Sequence, residues 1–458
     1  MTKHVTDFKG LFGTDGIRSR AHEFPLVPWL IEGLGWAFAK VQGPLAIGQR
    51  RVVMARDTRA SGKSIAAALT RGFTSCGYKV IDAGVLPTPA VSCLVRAWDA
   101  DLGCVISASH NPPEFNGIKF FGADGGKIPK EWEDKVETLL ADFQRSRVDA
   151  ASLRPAVTMT DEAYCRYRDF LIANFDADID LKGMRIAVDC AHGSALRVVP
   201  DVLRRLGAEV LEYGVSADGR NINTGCGALF PKDLARQVVK MGCDVGFALD
   251  GDGDRLVVVD EKGAVLTGEW VMATIALYRA QNLMAGSWGI VTTQISNLAL
   301  AQRLQKRGIQ VFETQVGDRW VLEKLKELKL GFGGENSGHY IWMEHLPSAD
   351  GALSIIFLAQ MIRRLDREAS KVFERFKLMP QVGITVATPA NRPPLDHLVG
   401  FQKQLSRVRQ ALKGKGRVLV RYSGTEPILR ILLEGEDSMA RLRGMGEDLK
   451  AAFLRALD

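Results

Sequence analysis

A chain of 458 residues, 46% hydrophobic and 25% charged, is too long for one core, and at about 150 residues per domain it predicts three or four. Its 60 Lys and Arg against 53 Asp and Glu leave a net charge of +7, yet the basic residues are dispersed, with no long run that interleaves them with aromatics. That weighs against a nucleic-acid module and suits a cleft for a small anion. No apolar run is long enough for a membrane span, "MTKHVTDFKGLFGTDGIR" at the N-terminus has no apolar leader, and the seven cysteines form no CxxC pair, so a reducing cytoplasm is expected.

Strands and helices alternate along the chain. "RVVMARD" predicts a strand, "KSIAAALTRGFTSCG" a helix and "YKVIDAGV" a second strand; a helix over "TPAVSCLVRAW" then leads to a third strand, "DLGCVISAS". The order returns in "MRIAVDC", "SALRVVPDVLRRLG", "AEVLEYGV", "DLARQVVKMG" and "DVGFALDGDGDR". A third copy runs through "SWGIVTTQIS", "LALAQRLQKRG", "IQVFETQVG", "RWVLEKLKELK" and "LGFGGENSGH". Gly77, Gly207, Gly242 and Gly308 stand where helices stop. From about Pro380 the order becomes strand, long helix, two strands and a final helix from Ser438. The expected fold class is therefore α/β: three repeated α/β domains with mainly parallel sheets (1–160, 161–262 and 263–376) plus a smaller C-terminal α+β domain (377–458).

Each copy carries its odd polar loop after the third strand: "SASHNP", "DGDGDR" and "GGENSGH". Ligands in open α/β sheets gather outside the carboxyl ends of strands, so these loops, with "RYSGTEP" of the fourth domain, can face one central cleft. In "DGDGDR", Asp250, Asp252 and Asp254 are separated only by glycines and repel one another unless a cation sits among them. Carboxylates without His or Cys nearby suit Mg²⁺ over Zn²⁺. Glu261 falls at position twelve of a calcium-binding loop, but Arg255 stands where that loop needs Gly, and strand pattern follows it. "SGKS" is no phosphate loop, because its upstream Gly would fall at Asp57, and "GTDGIR" lacks dinucleotide spacing. Ser109, near such a triad, serves either as a ligand or as a phosphoryl acceptor, with His110, Lys119 and Arg255 supplying charge and proton-shuttling groups. "RYSGTEPILR" is either a phosphate-binding turn or an ordinary hairpin.

Together the four loops resemble, in order and spacing and over essentially the whole chain, the α-D-phosphohexomutase superfamily: phosphoserine, metal, sugar-binding and phosphate-binding loops. "FGTDGIR", "VGDRWVLEKL" and "GENSGH" are most similar to its phosphoglucosamine mutase branch. The resemblance implies four domains around one cleft and a phosphorylated Ser109 whose phosphate joins Asp250, Asp252 and Asp254 around one Mg²⁺. It implies Arg18, Lys119 and Arg255 about the transferring phosphoryl, with Lys119 and His339 as candidate general bases. Asp318, Glu335, Asn336 and Ser337 would contact the sugar, and Arg421, Ser423, Gly424, Thr425 and Arg430 the distal phosphate. The implied reaction interconverts glucosamine 6-phosphate and glucosamine 1-phosphate through glucosamine 1,6-bisphosphate, feeding UDP-N-acetylglucosamine; a glucose or mannose phosphate mutase is the alternative. The implied partners are small sugar phosphates, with no nucleic acid and no membrane, for a monomer or homodimer. Ser19, the "PPEF" segment and Tyr422 depart from the branch's usual pattern, and Tyr422 also occurs in relatives acting on other sugars.

Overall fold

A computed structural model describes residues 8–13, 15–42, 50–145, 157–159, 161–282, 288–389, 392–423 and 427–457. The first sheet holds β1 (Ile17–Arg20), β2 (Arg51–Arg56), β3 (Lys79–Val85), β4 (Leu102–Ile106), β5 (Phe115–Gly122) and β6 (Val157–Met159) in the order β1-β5-β4-β2-β3-β6. The second holds β7 (Arg185–Asp189), β8 (Glu209–Tyr213), β9 (Val245–Leu249) and β10 (Leu256–Asp260) in the order β10-β9-β7-β8. The third holds β11 (Gly289–Thr293), β12 (Gln310–Thr314), β13 (Phe332–Gly334) and β14 (Tyr340–Trp342) in the order β12-β11-β13-β14. In each copy the first strand pairs in parallel with the second and third, and an antiparallel strand flanks the third, at the sheet edge in the second and third copies and inside β1 in the first. The predicted repeat is thus present, with an antiparallel strand added to each copy and β1 and β6 added to the first.

That antiparallel strand matters for the site. Each polar loop is the link of a β-hairpin, joining β4 to β5, β9 to β10 and β13 to β14, so both its ends are fixed by ladder hydrogen bonds. The glycines predicted as helix stops have positive φ, Gly77 at 82°, Gly207 at 100°, Gly242 at 60° and Gly308 at 75°. The helix expected from Ser194 begins only at Val198. Residues before it are drawn to the metal loop, where the Ser194 N–H donates to the Gly251 carbonyl at 2.8 Å.

One apolar core is shared by the three sheets, joining Val53 and Val105 of the first, Val188 and Phe247 of the second, and Ile290 and Phe332 of the third. Helices Thr88–Ala97, Glu162–Ala173, Gly268–Asn282 and Gly351–Leu365 contribute to it. The opposite face of each sheet has its own cluster. The fourth domain, β15 (Gln381–Ala387), β16 (Gly416–Tyr422) and β17 (Ile428–Gly435) with helices Val399–Leu412 and Met439–Leu454, keeps a separate core around Phe401 and Phe453. It is clasped to the third domain by polar contacts: Glu434, fully buried, accepts from the Leu298 N–H at 2.7 Å and pairs with Arg417, which also reaches Glu313. Among the described residues, no helix is long and apolar enough to cross a membrane.

Candidate active site

Ser109 follows β4 at the carboxyl end of the first sheet, buried and at φ +52°. A non-glycine residue in that conformation must be over-determined by its surroundings. Here its N–H donates to Ser107 Oγ at 2.9 Å, and its carbonyl accepts from Arg59 Nη2 at 3.0 Å and Asn223 Nδ2 at 2.9 Å. Arg59, fully buried and paired with Asp57 at 2.9 Å, also donates to the carbonyls of Asn111, Pro112 and Phe115. The loop is thus wrapped around one guanidinium. Ser109 Oγ donates to Asp250 Oδ2 at 2.6 Å and lies 3.3 Å from His110 Nδ1. Burial, with the nearby Arg255 and Arg18 charges, pushes His110 down to about 3, so its imidazole is neutral.

Asp250, Asp252 and Asp254 are buried, and ligand oxygens from all three lie within 4.8 Å of one another. Burial and the two neighbouring carboxylates raise Asp250 to about 7. Lys119, reaching in from β5, is 2.8 Å from Asp252 Oδ2, 2.9 Å from Asp254 Oδ2 and 2.9 Å from Asp15 Oδ2. Burial opposes its charge, but those three carboxylates prevail and hold it well above the ordinary lysine value. Thr88 Oγ1, at the start of its helix, donates to Asp252 Oδ2 at 2.6 Å, whereas the buried Asp252 Oδ1 has no hydrogen-bond partner. An orphaned carboxylate oxygen in an all-oxygen cluster fits a hard divalent cation.

The second and third hairpins are joined by a bridge between Arg255 and His339. His339 has Glu335 Oε2 2.6 Å from Nδ1 and Asp254 Oδ1 3.1 Å from Nε2. Burial disfavours its charge, but Asp254 and Glu335 outweigh that and lift it to about 10. Arg255 Nε, 3.1 Å from His339 Nε2, opposes that rise. Glu335 is committed further by the Gly317 N–H at 2.9 Å and by Ser337 Oγ at 3.3 Å. Asp318 is tied to Lys127 at 2.5 Å, and Arg18 to Asp15 and Asn111 Oδ1.

Asn336, Arg421 and Arg430 line a cavity of about 450 Å³ between the third and fourth domains, with Gln294, Gln381 and Arg409. Arg421 and Arg430 are direct cross-strand partners of β16 and β17, a like-charge pairing that destabilises a sheet unless an anion lies between. Burial and then Arg430 push Arg421 below the ordinary arginine value. Ser423 is buried beside them, its N–H donating to the Ile428 carbonyl; Gly424 and Thr425 lie outside the described residues. The cleft therefore gathers Ser109, His110, Lys119, Arg18, Arg255, His339 and the aspartates, with Glu335 and Ser337 against them. Asp15, Asp57, Arg59, Thr88 and Asn223 escape the sequence analysis as site residues, although "DTR" directly after β2 occupies the same strand-end position as the odd loops.

Three repeated α/β domains, a fourth with its own core, and a serine hydrogen-bonded into an aspartate triad define a phosphohexomutase, an isomerase. The phosphoglucomutase/phosphomannomutase models match it as alpha/beta/alpha domain I over residues 9–146, II over 165–263, III over 267–379 and the C-terminal domain over 384–452. The chain is similar to the phosphoglucosamine mutase of Myxococcus xanthus (41% identical, 98% of this chain and 97% of that one) and to that of Paracoccus denitrificans (40%, 97% and 99%). In fold it resembles a Burkholderia thailandensis phosphoglucomutase/phosphomannomutase family protein, TM-score 0.77 at 22% identity, covering 98% and 97% of the two chains. An Aspergillus fumigatus N-acetylphosphoglucosamine mutase, solved with GlcNAc-6P and magnesium, matches at TM-score 0.64 and 15% identity over 97% and 95%. The chain belongs to the phosphoglucosamine mutase family.

Proposed function

We propose that this protein interconverts glucosamine 6-phosphate and glucosamine 1-phosphate, with Ser109 as the phosphorylated nucleophile. In the first half-reaction the O1 hydroxyl of glucosamine 6-phosphate bonds to phosphorus as the Ser109 Oγ–P bond breaks, and the O1 proton ends on the released Ser109 Oγ. The resulting 1,6-bisphosphate turns over in the cleft. In the second, Ser109 Oγ bonds to the phosphorus on O6, the P–O6 bond breaks, and the Ser109 proton ends on O6, giving glucosamine 1-phosphate. Lys119, Arg18 and Arg255 surround the phosphoryl in flight and stabilise its spreading charge. Arg421, Arg430 and Ser423 hold the distal phosphate, and that remote binding aligns the reacting oxygen.

Asp250, Asp252 and Asp254, with the phosphate on Ser109, would hold one Mg²⁺, which when bound supplies charge neutralisation at the transferring group. The observation that carries the proposal is Ser109 Oγ at 2.6 Å from Asp250 Oδ2, a hydroxyl already seated in the triad. Ser109→Ala should lose turnover by more than about a thousandfold while keeping its Tm, since no other group can carry the phosphoryl. Activity of the variant within tenfold of wild type would remove Ser109 from the reaction. Wild-type kcat/KM should favour glucosamine over glucose and mannose phosphates; equal or better use of mannose 1-phosphate would reassign the substrate.

A further inference from the structure

The first and third domains meet along a seam of opposite charges. Lys127 Nζ, from the turn after β5, lies 2.6 Å from Asp15 Oδ1 and 2.5 Å from Asp318 Oδ1 of the third domain. The next residue, Arg319, pairs with the buried Glu133 of the first domain. Further out, Lys326 meets Asp124 at 2.7 Å on the exposed surface. The inner pair alone continues into the site: Asp15 Oδ2 sits 2.9 Å from Lys119 Nζ and also pairs with Arg18. Asp318, Lys127, Asp15 and Lys119 thus form an unbroken line of ion pairs from the sugar-binding domain to the aspartate triad. Asp318 Oδ1 also accepts from the Arg319 N–H at 3.0 Å, which fixes the carboxylate at the head of its helix.

We propose that Asp15, Lys127 and Asp318 are positioning residues, a relay that aims the Lys119 ammonium and makes its placement depend on docking of the third domain onto the first. The relay rests on the phosphoryl-transfer role of Ser109 and Lys119 given above. Its physical basis is the cost of a buried charge without a partner. With Lys127 neutralised, Asp15 is left to Arg18 and Lys119 alone and shifts toward them; with Asp318 neutralised, Lys127 swings wholly onto Asp15. Either way the Lys119 head moves, while the residues that touch sugar stay.

Steady-state kinetics on full-length protein test this. Lys127→Met and Asp318→Asn should each lower kcat about tenfold or more with KM within about threefold, because misplacement of a catalytic group costs rate rather than uniform binding. The loss should be the same factor on glucosamine and glucose phosphates, the double variant no worse than the weaker single, and Lys127→Arg partly restored. Lys326→Met, breaking the outer pair, should keep wild-type kcat. Should Lys127→Met fail to fold, Asp318→Asn keeps the side-chain shape and carries the comparison. Unchanged kcat in the single variants overturns the relay, as do independent, additive losses. So does a rise in KM confined to the amino sugar in Asp318→Asn, which would make Asp318 a substrate contact. A wild-type protein inactive on both sugars overturns the underlying reaction and the relay with it, and needs no variant to be seen.

Discussion

Asp252 is held on one oxygen by Thr88 and Lys119 and left bare on the other. Two donors on Oδ2 orient the carboxylate, and Oδ1 is then aimed into the triad. Outer partners of this kind are worth about 10–100-fold in metal affinity. Thr88→Val, which keeps the shape of the side chain, should raise the Mg²⁺ concentration for half-maximal activity by about tenfold or more, with kcat at saturating Mg²⁺ largely recovered. An unchanged Mg²⁺ titration would mean Lys119 alone suffices. Residues of this rank are hard to find in a sequence. Ser109 and the aspartates are legible because proline and glycine isolate them in loops no core requires. Thr88 looks like any helix-start threonine, and its partner is 164 positions away. Arg59 and Asn223 are hidden for another reason: what they hold in the Ser109 loop is backbone, which carries no sequence signal.

Between elements, the glycines of the metal loop answer two different needs. Gly253, at φ +72°, turns the chain. Gly251 instead allows contact, since a Cβ there would lie 2.7 Å from the Ser109 carbonyl oxygen. Gly251→Ala should push the aspartate loop off the Ser109 loop and cut kcat/KM by about a hundredfold with the fold retained, a displacement on the scale of an ångström at reacting groups. Near wild-type kinetics would show that the two loops tolerate separation. The parallel strands were legible from short apolar runs between helical segments. The antiparallel edges were less so: β14 spans only Tyr340–Trp342 and β1 only Ile17–Arg20, too short for alternation to show. That each odd loop is a hairpin link, pinned at both ends, follows only from pairing.

For the whole molecule, the decisive feature is how apolar burial is divided. Side chains from three sheets interlock in one cluster, while the buried side chains of the fourth domain form a cluster of their own, and it meets the third through polar groups that include Glu434, Arg417, Glu313 and Gln381. Calorimetry should therefore resolve two transitions, a small one for residues near 377–458 and a large cooperative one for the rest, because cooperativity follows shared core. Arg417→Met should move the small transition down and leave the large one in place. A single coincident transition in wild type and variant would show that the polar clasp couples the parts as strongly as packing does. The shared core also bears on how such a chain can be altered by recombination. An exchange of one α/β domain with a distant relative has to satisfy the packed side chains of two neighbours at once. The C-terminal domain has to present a few polar groups at the right edge, so it is the segment most freely traded, and with it the arginines proposed to hold the far end of the substrate.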